Sequence, residues 1–339
     1  MRRGNSNINI IMNDNYSSTL KSQDTEDWFD LKIVRPLCYY LAKGFAKLGI
    51  TPNTVTICSM LIGAFSSVFF VYGSFYYCGW EGLIMNIIAL LMLLMANIFD
   101  TIDGQLARMT GKTSRMGRIL DGSAGFVWYI CIYFALLLRF YQYHTLEFQW
   151  LGLDDTEQNV LIATAVVLVL AYISGFSGIA AQERQADYFI QTHLFFQKGE
   201  KGSELDNSKR QQEIYDAMSP ESHSWIERWF QKSYIDYTRK QERNTPHFQH
   251  LMRVLLQKYG SASNIPDNIR QEYLGYSRPV AALNCLLTFD FRTLMFAVFC
   301  LSDIPACYFL FEIVVMGLLA KYINWRHASF CKRIAKSIS

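Results

Sequence analysis

Three aspartates, two glycines and an arginine recur at fixed intervals in the first half of this 339-residue chain. Asp100 and Asp103 are followed by Gly104, Ala107 and Arg108; after eight intervening residues comes Gly117, and after three more Asp121. On a helix Asp100 and Asp103 are one turn apart and share a face. Carboxylates this close repel one another unless a cation neutralises them. Oxygen donors with no His or Cys beside them suit a hard ion, Mg²⁺ or Mn²⁺. Gly104 admits a ligand close to the backbone, and Arg108 offers a planar fork to a phosphate. The set describes a site for metal-bound pyrophosphate. Interfacial charges that merely mark helix ends would explain any one aspartate, but not the whole set at this spacing.

The segment resembles the signature of the CDP-alcohol phosphotransferase (CDP-alcohol phosphatidyltransferase) family, D-x-x-D-G-x-x-A-R-x8-G-x3-D-x3-D. It matches at Asp100, Asp103, Gly104, Ala107, Arg108, Gly117 and Asp121. The likeness extends to a Thr51-Pro52-Asn53 turn, the stretch ahead of it and a six-span layout. It implies a metal-dependent membrane enzyme of phospholipid synthesis, which moves a substituted phosphate from a CDP-linked donor to an alcohol acceptor and releases CMP. In bacteria that donor is usually CDP-diacylglycerol. By the same resemblance Asp100, Asp103 and Asp121 ligate Mg²⁺ or Mn²⁺, while Gly104, Arg108 and Gly117 hold the CDP moiety; a homodimer is also implied. Arg118 is a further candidate for holding phosphate, on charge alone. Inositol or its phosphate, glycerol phosphate, serine and a diacylglycerol are all compatible as acceptors.

One position departs from the pattern. The family's last aspartate falls four residues after Asp121, where this chain has Gly125, followed by Phe126. In the family that residue helps to hold a second metal and deprotonates the acceptor hydroxyl. A positioned base typically contributes about 10²–10⁴-fold, and glycine has no group to supply it. The catalytic residue is therefore unassigned. Asp187, His193 and Asp290 are the available surrogate types, although a local ion pair between Asp290 and Arg292 is the plainer reading of that pair. A one-metal site with altered chemistry, and a non-catalytic member that still binds CDP-lipid, are the other two readings.

Positioning these residues requires a membrane scaffold. Half the sequence is hydrophobic (51%), with 24 Phe and 20 Tyr, and only 18% is charged. The apolar residues cluster in 54–77, 82–99, 119–140, 160–180 and 281–323. A helix needs about 20 mostly apolar residues to span the hydrocarbon core. The first four clusters give one span each, and the last, divided near Ser302, Asp303 and Pro305, gives two. The expected fold is an all-α integral membrane protein with six transmembrane helices. Its parts are a disordered tail (1–26, with no cleavable signal), an amphipathic interfacial helix and turn (27–52), spans one to four with the motif (53–180), a helical cytoplasmic insertion (181–278), spans five and six (279–324) and a basic tail (325–339). Pro36 suits a helix start, Leu37, Leu41, Phe45 and Leu48 recur at helical spacing, and Asn53 is placed to cap the first span.

Charge distribution sets the orientation. Arg108, Lys112, Arg115 and Arg118 follow the second span, and Arg326, Lys332, Arg333 and Lys336 follow the sixth. The 143–159 loop carries Glu147, Asp154, Asp155 and Glu157 with no Lys or Arg. The positive-inside bias places both termini and the active site in the cytoplasm, with the bacterial inner membrane as the expected location. In the insertion, 185–196 extends span four, 198–203 breaks it, and 223–243 and 247–260 are amphipathic. Arg184, Gln185, Asp187, Tyr188 and His193 form a polar face, either an acceptor-pocket wall or a solvated helix side. Glu81 and Glu312 are explained by pairing or interfacial placement, and His247 with His250 by solvent exposure. The eight cysteines lack a C-x-x-C pair, which argues against zinc and disulfide frameworks. Basic residues are spread as topology requires, so nucleic-acid binding has no support. A transporter could use intramembrane acids but would not need the Gly104, Arg108 and Gly117 spacing.

Overall fold

The computed structural model describes residues 30–112, 115–143, 146–203, 205–219 and 223–338; the tail at 1–26 lies outside them. The described residues form helices joined by short turns and loops, without strands, and six helices are long and apolar enough to cross a membrane. The chain divides into two compact units, Met1–Leu161 and Ile162–Ser339.

In the first unit a π-helical turn, Asp30–Val34, leads into α1 (Arg35–Lys47), followed by α2 (Pro52–Val71), α3 (Phe75–Thr110), α4 (Arg115–Tyr143) and a short α5 (Leu146–Trp150). Helix α2 starts at a proline, tolerated because the first N–H of a helix has no internal partner. Its cap is Thr51, whose hydroxyl accepts from the Thr54 N–H at 3.3 Å. Asn53 was the expected cap. With Pro52 already in the first turn, Asn53 falls inside the helix.

Helix α2 is the hub of this unit, packed against both α3 and α4. Its buried stripe is small and polar, with Thr56, Ser59, Gly63 and Ser66, while Ile57, Leu61, Phe65 and Val68 face outward. That inversion is expected in lipid, where apolar side chains gain nothing by leaving the surface and small residues let helices approach closely. The Ser59 hydroxyl donates to the Ala96 carbonyl of α3 at 2.8 Å, and the Ser59 carbonyl accepts from the Trp128 indole of α4 at 3.1 Å. The indole lies on Gly63: a Cβ there would come within 2.2 Å of it. Near the α2–α3 connection, Asn86 donates to the Gly73 carbonyl at 2.6 Å and accepts from fully buried Arg139 at 3.0 Å.

Helix α3 has 36 residues, kinks at Gly79 (φ 57°) and ends at Gly111 (φ 65°). From the Gly79 kink to Thr110 it runs about 46 Å at 1.5 Å per residue, well beyond the ~30 Å hydrocarbon thickness. Its last turns, with Asp100 to Arg108, therefore have length to spare. Helix α1 packs on those turns through Cys38, Tyr39, Ala42 and Ala46, against Ile102, Leu106 and Met109. Leu37, Leu41 and Leu48 stay exposed on its other side.

After α6 (Glu157–Ile173), the second unit continues through a π-helical segment, Ser174–Ile179, into α7 (Ala180–Lys198). Gly199, at φ 77°, ends α7. Then come α8 (Ser208–Asp216), α9 (Trp225–Asn244), α10 (Pro246–Tyr259), α11 (Asp267–Cys285), α12 (Phe289–Leu301), α13 (Pro305–Phe311), a second π-helical segment at Glu312–Met316 and α14 (Gly317–Ile338). The fifth and sixth candidate spans, Asp267–Leu301 and Pro305–Ile338, both extend beyond the apolar run at 281–323. The core is aromatic, with Phe196 stacked on Tyr273 at 3.9 Å and Tyr276 on Phe330 at 3.8 Å. Fully buried Arg292 is ion-paired with fully buried Glu312, and it also donates to Gln182 at 2.7 Å and the Leu287 carbonyl at 3.0 Å. Tyr308 donates to the other Glu312 oxygen at 3.1 Å. Gly178, in the Ser174–Ile179 segment, makes room for Glu312: a Cβ there would sit 3.3 Å from the Glu312 Cγ.

Candidate functional site

The site is built on the last three turns of α3. Asp103 is buried, 3% exposed, and Asp100, one turn earlier, is partly buried. Asp103 owes its fixed position to α2. The Thr56 hydroxyl lies 2.5 Å from Asp103 Oδ2 and 3.1 Å from the Pro52 carbonyl. Thr56 was not among the expected site residues. Its partner is 47 residues away, and a threonine near the start of an apolar helix carries no mark of that pairing. On the same stretch of α3, Gln105 donates to the Arg35 carbonyl at 3.2 Å, tying the site to the start of α1.

Gly104 and Arg108 act as a pair. A Cβ built on Gly104 would meet the Arg108 guanidinium, with Nη1 at 3.4 Å and Nη2 at 3.6 Å. The guanidinium thus folds back over the glycine, one turn away on the face it shares with Asp100. Gly117 and Asp121 lie in the first two turns of α4, and Gly117 is partly exposed. The side chains of Asp121 and Arg118 lie outside the described residues. Helix α4 packs chiefly on α2 and also meets α3. Gly125 is helical and partly exposed, and a Cβ there would meet nothing within 4 Å. The position where the motif expects a carboxylate is open, so packing does not demand glycine. The donor set suits a divalent cation, because paired carboxylates with one held by a neutral hydroxyl match the oxygen preference of Mg²⁺ or Mn²⁺.

The three surrogate bases belong to the second unit. Asp187 accepts from the Tyr237 hydroxyl at 3.1 Å, from Gln241 at 3.3 Å and from Gln191 at 3.4 Å. Burial, followed by the Asp187 charge, holds the Tyr237 phenol well above its ordinary pKa, so it stays a proton donor to Asp187. His193 is fully buried, its Nδ1 2.8 Å from the Ser277 hydroxyl. Asp290 is exposed in the first turn of α12. Arg292, two residues on, points into the core to Glu312 and Gln182. The polar face of α7 borders a shallow recess, with room for no more than about a water molecule (about 10 Å³), lined by Arg184, Gln185, Tyr188, Gln241, Thr245 and Asn324.

Residues 49–196 match the family model described as CDP-alcohol phosphatidyltransferase. An archaetidylinositol phosphate synthase of Pyrococcus horikoshii is 36% identical over 92 residues, 27% of this chain and 43% of that protein. The inner membrane protein YnjF of Escherichia coli K12 is 28% identical over 118 residues, 35% of this chain and 52% of that protein. The matches therefore span about half the length of these curated relatives.

Proposed function

We propose that this chain, which belongs through residues 49–196 to the CDP-alcohol phosphatidyltransferase family, makes a phospholipid or its precursor in the membrane. It transfers a substituted phosphate from CDP-diacylglycerol, or another CDP-alcohol, to an alcohol and releases CMP. The observation that carries this reading is the far end of α3, where buried Asp103, its partner Asp100 and the Gly104–Arg108 pair lie within three helical turns. Asp100, Asp103 and Asp121 would hold Mg²⁺ or Mn²⁺, which supplies charge neutralisation of the pyrophosphate.

The protein's own part is positioning. Thr56 orients Asp103. Arg108 presents its nitrogens to a phosphate oxygen, and Gly104 and Gly117 let the nucleotide approach the backbone. The bond broken joins the transferred phosphorus to the oxygen of the CMP phosphate. The bond formed joins that phosphorus to the acceptor oxygen, whose proton must leave. Gly125 cannot take that proton, so turnover in this chain is limited at this step. The homologous inositol phosphate-lipid synthase favours a polyol or polyol phosphate acceptor. The basic residues after spans two and six support a cytoplasmic site and termini; a bacterial inner-membrane location and a homodimer belong to the same proposal and rest on the family resemblance alone.

Gly125 also favours a second reading, a family member that binds CDP-lipid without turning it over. CMP release by the reconstituted full chain separates the two, with CDP-diacylglycerol, Mg²⁺ or Mn²⁺ and a panel of alcohols. Activity that vanishes in Asp121→Ala supports the enzyme. Silence of the parent and of Gly125→Asp, with retained CDP binding, supports the binder.

A further inference from the structure

Helix α9 is built the wrong way round for a helix in water. Its buried positions include Gln231, Thr238 and Gln241 beside Ile235. Gln231 is fully buried and donates to the Gln211 carbonyl and side chain at 2.9 and 2.8 Å. Its outer side, by contrast, opens with Trp225, 77% exposed, Trp229, 58% exposed, and Ile226. A soluble helix buries its apolar stripe and shows its amides to solvent. Further along the same outer arc stand Lys232, Lys240 and Arg243, all exposed, with Arg239 beside them paired to Asp236 at 3.3 Å.

The attachment point of α9 sets its depth. Tyr237 and Gln241 bind Asp187, and Gln241 also donates to the Arg184 carbonyl. Both partners lie on α7, within the fourth candidate span, Glu157–Lys198. The apolar run of that span ends near Ala180, so Arg184 and Asp187 stand four and seven residues beyond it. That is about 6–10 Å along the helix, at the outer part of the ~5–8 Å headgroup layer and just beyond it. Tryptophan favours that layer, and lysine and arginine beside it attract anionic headgroups.

We propose that the exposed face of α9 lies on the anionic surface of the bilayer that the chain itself spans, with Trp225, Ile226 and Trp229 seated among the headgroups and Lys232, Lys240 and Arg243 against lipid phosphates. The inference rests on the membrane spans and not on the transfer reaction, so it stands or falls separately from the CMP assay.

The test uses the full chain in vesicles of phosphatidylcholine alone or mixed equally with phosphatidylglycerol, with the acyl chains brominated near the glycerol. Subtracting the emission of Trp225→Ser/Trp229→Ser from that of the parent isolates the two indoles. Bromolipid is expected to quench that difference about twofold in the mixed vesicles, and less in phosphatidylcholine or in Lys232→Gln/Lys240→Gln/Arg243→Gln. Should the serine pair lose helix content, Trp225→Phe/Trp229→Phe gives the same difference with the apolar surface retained. Indoles quenched by aqueous iodide but not by bromolipid would overturn the proposal, and so would indoles shielded from both, which would place a protein or a second copy on this face.

Discussion

Placing a carboxylate at position 125 separates fold from turnover. A Cβ built on Gly125 meets nothing within 4 Å, so the backbone at this position leaves room for a side chain to start. Helix propensity changes by only about 0.3 kcal/mol in favour of aspartate. Repulsion from Asp121, one turn earlier, costs about 0.2–0.5 kcal/mol. Stability should therefore move by less than about 0.5 kcal/mol, within error for a detergent melt. The barrier should move much more: a positioned base gives about 10²–10⁴-fold, equivalent to ~3–5 kcal/mol. Initial rates of CMP release from CDP-diacylglycerol at saturating Mg²⁺, compared for the parent and Gly125→Asp, measure this. Gly125→Asn is the control, since it fills the same space without a carboxylate and should gain nothing. A folded Gly125→Asp that binds CDP and turns over no faster than the parent would refute the assignment of position 125 as the vacant base.

Thr56→Val keeps the shape of the α2–α3 contact but removes the hydroxyl from buried Asp103; loss of such an outer partner typically weakens metal binding 10–100-fold, read as a rise in the Mn²⁺ concentration for half-maximal activity. Gly63→Ala sets a methyl against the Trp128 ring and should cost about 1–3 kcal/mol by overpacking, seen as a lower melting temperature that Trp128→Leu partly restores. Arg292→Met leaves the Glu312 carboxylate buried without its ion pair and should destabilise the second unit by about 3–5 kcal/mol, whereas Arg292→Met with Glu312→Met should cost clearly less; thermal unfolding followed by circular dichroism compares them.

The motif and the spans were legible because both are written locally. Fixed gaps mark Asp100 to Asp121, and lipid contact demands continuous apolar runs. The contacts between helices were not legible, and α2 shows why. Hydropathy responds to Ile57, Leu61, Phe65 and Val68, which face outward, whereas the packing is made by Thr56, Ser59, Gly63 and Ser66. The same holds for α1, where the periodic leucines lie outside and Cys38, Ala42 and Ala46 make the contact. Arg292 pairs with Glu312, 20 residues away, a partner that nothing near it in the sequence announces. The inward face of a membrane helix is a long-range property, and composition along the chain records mainly the outward one.

The buried stripe of α2 has a consequence for how substitutions combine. Thr56 and Ser59 are adjacent turns of one face: the first is bonded to Asp103, the second to both Ala96 and Trp128, and Gly63 fixes how closely that indole approaches. A rotation of α2 about its axis displaces all of these contacts together. Gly63, Ser59 and Thr56 should therefore behave as one thermodynamic unit, with coupling energies of about 0.5–3 kcal/mol in double-mutant cycles. A methyl group added at Gly63, seven residues along α2 from Thr56, would then register at the carboxylate.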